Sequence, residues 1–151
     1  MTIESIALWH KRARPNPTEK DFNTQLGCHL EEIVEMIETL RFTHTNGTGV
    51  EMPGKNSMLY QQIKDFADGL KSGRITAYVA DRKEFVDSVA DQIVTGVGVG
   101  HCANTDIAKA VEVVNSSNFS KFSPEGEPYF DQNGKVLKGP NYVPPNLEGL
   151  Y

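Results

Sequence analysis

Between positions 26 and 40, Leu26, Leu30, Ile33, Val34, Ile37 and Leu40 recur at helical spacing, and no other feature restricts the fold of this chain so strongly. Residues three and four apart share one face of a helix. The run therefore predicts a long amphipathic helix over about 18 to 42, opened by Thr18 with Asp21 three positions on, a capping-box pattern. Such a helix must bury its apolar stripe, and the rest of the chain offers partners. Residues 2 to 13 place Ile3, Ile6 and Ala7 on one face of a short helix that stops before Pro15 and Pro17. Met58 to Lys71 carries Leu59, Ile63, Phe66, Ala67 and Leu70 and runs into Ser72 and Gly73, a glycine-type stop. Asp81 followed by Glu84 opens another long helix, with Phe85, Val86, Val89, Ala90, Ile93, Val94 and Val97 as its apolar face. Gly96, Gly98 and Gly100 at its far end predict close packing or a frayed exit. A further helix is expected over Asp106 to Asn115.

The joints are polar. Thr43, Thr45, Asn46, Gly47, Thr48 and Gly49 lead through Pro53 and Gly54 into a long loop, about 43–57. From Phe119 onward prolines and glycines leave little room for helix, and Asn133-Gly134 between Tyr129-Phe130 and Val136-Leu137 signals a hairpin or an ordered wrapping tail. The expected fold is all-α: a four- to five-helix bundle over about 2–118 with a loop or hairpin tail over 119–151, in a single domain. A chain of 151 residues suffices for one core. Its 20 acidic residues against 15 Lys and Arg give a formal charge of -5, the wrong sign for gripping nucleic-acid phosphates or an anionic membrane. Cys28 and Cys102, with no CxxC pair, read as reduced core thiols. No apolar stretch at the N-terminus has the length of a signal peptide or a membrane span, so a cytoplasmic protein is expected. His10, His29, His44 and His101 are dispersed and read as surface or core residues rather than ligands.

The densest charge is Glu31, Glu32, Glu35 and Glu38, on the helix that carries the apolar stripe. Glu31, Glu35 and Glu38 are spaced i, i+4, i+7. A solvated helix face would explain them, but Glu84, Asp87 and Asp91 stand at i, i+3, i+7 on a second helix, opposite Val89, Ile93 and Val97. Glu84 can serve the cap and Asp87 the helix dipole, whereas Asp91 has neither explanation. Two helices presenting carboxylates to each other require a cation, and hard oxygen ligands suit Mg²⁺ or Mn²⁺.

Glu31-Glu32-Ile33-Val34-Glu35 followed by Glu84-Phe85-Val86-Asp87 resembles the EExxE and ExxD pair of the MazG-like all-α nucleoside triphosphate pyrophosphohydrolases. Asn115 to Lys121 and Gly134 to Pro145 resemble the compact phage-type branch of that superfamily. The resemblance runs from about Leu26 to Leu147, with no motif between Arg41 and Val79. It implies that Glu32, Glu35, Glu84 and Asp87 ligate metal with Asp91 as an additional ligand. Roughly two or three Mg²⁺ ions per site are implied, with Mn²⁺ as a substitute. Glu35 also belongs to the implied catalytic set, and Glu31 or Glu38 would orient the attacking water. Lys121, Lys135 and Lys138, with Asn118 and Tyr142, would contact phosphates, although Lys135 and Lys138 can equally decorate a hairpin.

The implied reaction is attack of water on the α-phosphorus of a nucleoside triphosphate, releasing pyrophosphate and a nucleoside monophosphate. There is no GxxxxGK[ST] loop for a motor-type NTPase. For the base, Trp9 would stack, though a Trp on a short amphipathic helix is more often core, and Asn23 and Gln25 would read edges. Guanine, as dGTP or GTP, comes first, because one similar group trims dGTP to dGMP. Alternatives are a dUTP or dCTP pyrophosphatase, a phosphoribosyl-ATP pyrophosphohydrolase, and, from another class, a non-catalytic acidic helical interaction module. The resemblance also implies a homodimer or homotetramer.

Overall fold

The computed structural model describes residues 3–43 and 51–151. Residues 44–50 of the expected 43–57 loop, His44 among them, lie outside the described residues. The protein is mostly helical: five α-helices and one two-stranded sheet are described. The chain divides into two compact units, Pro17–Ala77 with Gln132–Lys135, and Met1–Asn16 with Tyr78–Asp131 and Val136–Tyr151.

In the first of these, α2 (Glu19–Glu38) packs along α3 (Met58–Ser72). Its start is the reciprocal cap expected of Thr18 and Asp21: the Asp21 backbone N–H donates to Thr18 Oγ1 at 3.2 Å and the Thr18 N–H to Asp21 Oδ2 at 2.9 Å. It ends at Glu38, four residues before the expected boundary. The Thr39 hydroxyl donates to the Met36 carbonyl at 2.7 Å, and the chain then extends. Arg41–Thr43 (β1) and Glu51–Pro53 (β2) pair antiparallel with Phe42 opposite Met52. A 3-10 turn, Gly54–Asn56, leads into α3, whose first turn is capped by Ser57 Oγ accepting from the Tyr60 N–H at 3.1 Å. Gly73 stops α3 at φ 77°, a left-handed conformation that glycine adopts without strain. Val34, Ile37, Ala67 and Leu70 are buried, and Leu70, 1% exposed, gains about 1.5–3 kcal/mol from leaving water.

The second unit holds α1 (Ile3–Ala13), α4 (Arg82–Cys102) and α5 (Ile107–Phe119). Trp9 and Ala13 bury against Phe122, with Phe119 and Val136 packed around them. Helix α4 begins where Asp81 Oδ1 accepts the N–H groups of Lys83 and Glu84, at 2.9 and 3.1 Å. It runs through its glycines, and only Gly100 makes the close approach expected of them: a Cβ there would meet Ile107 Cβ at 2.6 Å, whereas Gly96 and Gly98 face open space. Helix α5 extends four residues beyond the expected Asn115. The tail then wraps α5. The Ser117 hydroxyl donates to the Val143 carbonyl at 2.7 Å, and the Asp106 N–H to the Leu150 carbonyl at 2.9 Å. The hairpin signal resolves as a single antiparallel bridge between Phe130 and Val136 around Gly134, φ 82°.

Two expectations are corrected. The apolar arc of α4 is not core: Arg82 through Val99 is exposed throughout, with Val86 67% and Ile93 48% accessible. Nor are the cysteines core thiols. Neither forms a disulfide, but Cys28 is half-buried and Cys102 exposed, near the end of that exposed helix. Among the described residues no helix is long and apolar enough to cross a membrane.

Candidate functional site

The acidic stripe of α2 meets α3 across Gly27. A Cβ at that position would lie 2.8 Å from the Ala67 carbonyl oxygen and 2.7 Å from Lys71 Cγ, so the missing side chain is what lets the two helices close. Lys71 is thereby brought to Glu31. Its ammonium donates to Glu31 Oε1 at 2.8 Å and pairs with Asp68 at 3.0 Å, while the Lys135 ammonium donates to Glu31 Oε2 at 3.0 Å. Partial burial alone would push the Glu31 carboxyl up, yet the hydrogen bonds and charges of the two lysines outweigh it and hold it below the ordinary value. The same hydrogen bond to Glu31 raises Lys135. Glu31 and Lys135, expected on water and phosphate, here bind each other.

Farther along α2, Glu35 and Glu38 line a hollow of about 120 Å³ with Tyr60, Lys64 and Asp68 of α3. Lys64 lies 3.8 Å from Asp68, both half exposed, a contact worth little in water. Glu35 and Glu38 form no ion pair among the described residues. Glu32 is exposed, about 60° around the helix from Glu35. The sequence reading missed the α3 side of this surface. Its signal was available: Lys64, Asp68 and Lys71 repeat the i, i+4, i+7 spacing of Glu31, Glu35 and Glu38, which aligns two antiparallel stripes.

On α4, Glu84, Asp87 and Asp91 form an exposed acidic strip. Lys83 approaches Glu84 only to 4.0 Å, with both side chains largely in solvent, and Asp87 and Asp91 form no ion pair among the described residues. α2 and α4 belong to different units, so each carboxylate set stands on its own helix. Among the described residues no three His, Cys, Asp or Glu side chains are grouped to hold a metal ion. The donor chemistry on both helices nonetheless fits a hard divalent cation, because the oxygen ligands come without thiolate or imidazole.

The tail candidates are engaged locally. The Lys138 ammonium sits 4.8 Å from the Tyr142 ring centroid, and that of Lys121 lies 5.9 Å from the Trp9 ring. Trp9 is 8% exposed, stacks on Phe122 at 5.4 Å and donates its indole N–H to the Asn118 carbonyl at 2.7 Å. This is the core placement weighed against base stacking, and the Trp9 face is not open to a base. Gln25 is exposed. Asn23 is buried, with its amide fully used: Oδ1 accepts from the Ala77 N–H at 2.6 Å, and Nδ2 donates to the carbonyls of Glu19 and Ala77 at 2.9 and 3.3 Å. It borders a larger cavity, about 440 Å³, between the start of α2 and the end of α3.

Comparison of the chain with known protein families, with curated proteins and with solved structures found no match.

Proposed function

We propose that this chain is a Mg²⁺-dependent nucleoside triphosphate pyrophosphohydrolase with a helical bundle of the MazG-like all-α type, acting on a purine triphosphate such as dGTP in the cytoplasm. The observation that carries the reading is the division of carboxylates on α2. Glu31 is neutralised by Lys71 and Lys135, while Glu35 and Glu38 line a hollow without an ion pair among the described residues. Asp87 and Asp91 on α4 are likewise without one. A fold gains nothing from such like-charge strips by themselves, and the motif spacing EExxE with ExxD supplies the reason to keep them.

In this reading Glu32, Glu35, Glu84 and Asp87 hold the metal, with Asp91 in reserve. Bound Mg²⁺ would neutralise the triphosphate and the charge that develops at phosphorus. Glu38 accepts a hydrogen bond from the attacking water and fixes its direction. As the water oxygen bonds to the α-phosphorus and its proton passes to solvent, the bond from the α-phosphorus to the bridging oxygen breaks, and pyrophosphate leaves. Lys121, Lys135 and Lys138, with Asn118 and Tyr142, hold phosphate oxygens, which requires Lys135 to exchange its Glu31 contact for the ligand. The exposed apolar arc of α4, Phe85 to Val97, is covered in the proposed dimer or tetramer by a second copy.

The products decide the matter. Nucleoside monophosphate plus pyrophosphate, formed only with Mg²⁺ or Mn²⁺, supports the reading, and nucleoside diphosphate plus phosphate contradicts it. That same uncovered arc favours a second reading, a non-catalytic acidic interaction module. It predicts no turnover and a neutral or stabilising effect of Glu35→Gln.

A further inference from the structure

The tail segment Gln132–Lys135 lies on α2 as a strap, held by three side chains of that helix. The Lys20 ammonium donates to the Gln132 carbonyl at 3.3 Å, the Thr24 hydroxyl to the Asn133 main-chain carbonyl at 3.0 Å, and Glu31 Oε2 accepts from the Lys135 ammonium at 3.0 Å. Positions 20, 24 and 31 fall within about 40° of one another around a helix, so the anchors follow the strap from end to end. The strap itself is neither helix nor strand, and Gly134 turns it at φ 82°.

At its centre stands Asn133, the one asparagine among the described residues that precedes a glycine. An asparagine side-chain amide is an electrophile within reach of the next residue's main-chain nitrogen, and a glycine there has no Cβ to obstruct the approach. The Gly134 nitrogen, its proton passing to solvent, bonds to Asn133 Cγ; the Cγ–Nδ2 bond breaks and ammonia leaves. Water then opens the cyclic imide at either carbonyl and yields aspartate or isoaspartate. In sum, an amide and water become a carboxylic acid and ammonia. Asn115 and Asn118 are followed by Ser116 and Phe119 inside α5, where helix hydrogen bonds fix the corresponding nitrogen. Half-buried Asn133 belongs to no such ladder.

The anchors set the rate. A peptide group is planar, so the Asn133 carbonyl that Thr24 holds and the Gly134 nitrogen that attacks turn together. Attack requires this peptide to rotate off the Thr24 hydroxyl. Isoaspartate, once formed, routes the main chain through the former side chain and takes the Thr24-bound carbonyl out of it, so the product cannot lie on α2 in the same way.

We propose that Asn133 is a site of spontaneous deamidation and isoaspartate formation, gated by release of the strap from α2. This modification is independent of the pyrophosphohydrolase reading.

The test incubates the full chain at mildly alkaline pH, folded and in urea, and follows each asparagine by peptide mapping, with isoaspartate identified by enzymatic methylation. Mapping keeps Asn133 apart from Asn46-Gly47, which lies outside the described residues. Asn133 is expected to convert in the folded chain, more slowly than in urea. Thr24→Val is expected to speed the folded-state conversion about fivefold and Lys135→Gln about twofold, both with the helical circular dichroism unchanged. No conversion at Asn133 in the folded chain over the time in which the urea sample converts fully, conversion as fast folded as in urea, or a rate indifferent to both variants would overturn the proposal.

Discussion

Glu31 and Glu35 lie one turn apart on α2 in different surroundings, and their substitutions are expected to differ in kind. Glu31→Gln takes away the charge that Lys71 and Lys135 share, leaving the partly buried Lys71 ammonium with Asp68 alone. A loss of about 1–2 kcal/mol in urea unfolding is expected. Glu35→Gln breaks no ion pair among the described residues, so its effect on stability is expected to stay within about 0.5 kcal/mol. The acid limb separates them as well. Because the Glu31 carboxyl lies below its ordinary value of 4.5 when folded, its contribution is complete above that pH and is lost as pH falls through the lower folded value. Wild-type stability should therefore decline below about pH 4.5 more steeply than that of Glu31→Gln, by unfolding midpoints at stepped pH. At this scale the sequence showed a row of glutamates. It did not show which one would be neutralised, because that depends on Gly27 admitting Lys71.

Among the elements, those fixed by local chemistry were legible and those fixed by distant contacts were not. The Thr18 cap, the Gly73 stop and the Asp81 start all act within four residues, and the structure has each of them. The strands β1 and β2 are three residues each, too short for a period-two pattern, and exist by pairing with each other. The glycines of α4 carry the sharpest element-level contrast. Gly98→Ala, in open space, should stabilise the helix by about 0.5–1 kcal/mol, whereas Gly100→Ala meets Ile107 and should destabilise the protein. Thermal unfolding of the two variants side by side reads the difference. Periodicity picked out the apolar arc of α4 as a core face, but the structure leaves it exposed. Ile93→Asp is expected to weaken self-association at least tenfold in analytical ultracentrifugation while the helical circular dichroism remains. Unchanged association would place the contact elsewhere.

For the whole molecule, composition and periodicity led to a mostly helical protein with a wrapped tail, and the structure has both. The carboxylates of the candidate site were legible as residues. Their arrangement was not, because α2 and α4 stand in separate units and spacing along one helix says nothing of a second helix. The large cavity was invisible for a related reason: its lining comes from three separate stretches, 19–24, 70–76 and Asn133. The carboxylates that stability does not need are expected to be the ones that turnover requires. The most direct measurement is pyrophosphate release from dGTP with and without Mg²⁺, for the wild type, Glu35→Gln and Asp87→Asn, each checked for an unchanged unfolding midpoint. Metal-dependent release that falls at least a hundredfold in both variants is the expected result. A folded wild type that releases no pyrophosphate from any nucleotide in the presence of Mg²⁺, or variants as active as the wild type, would contradict it.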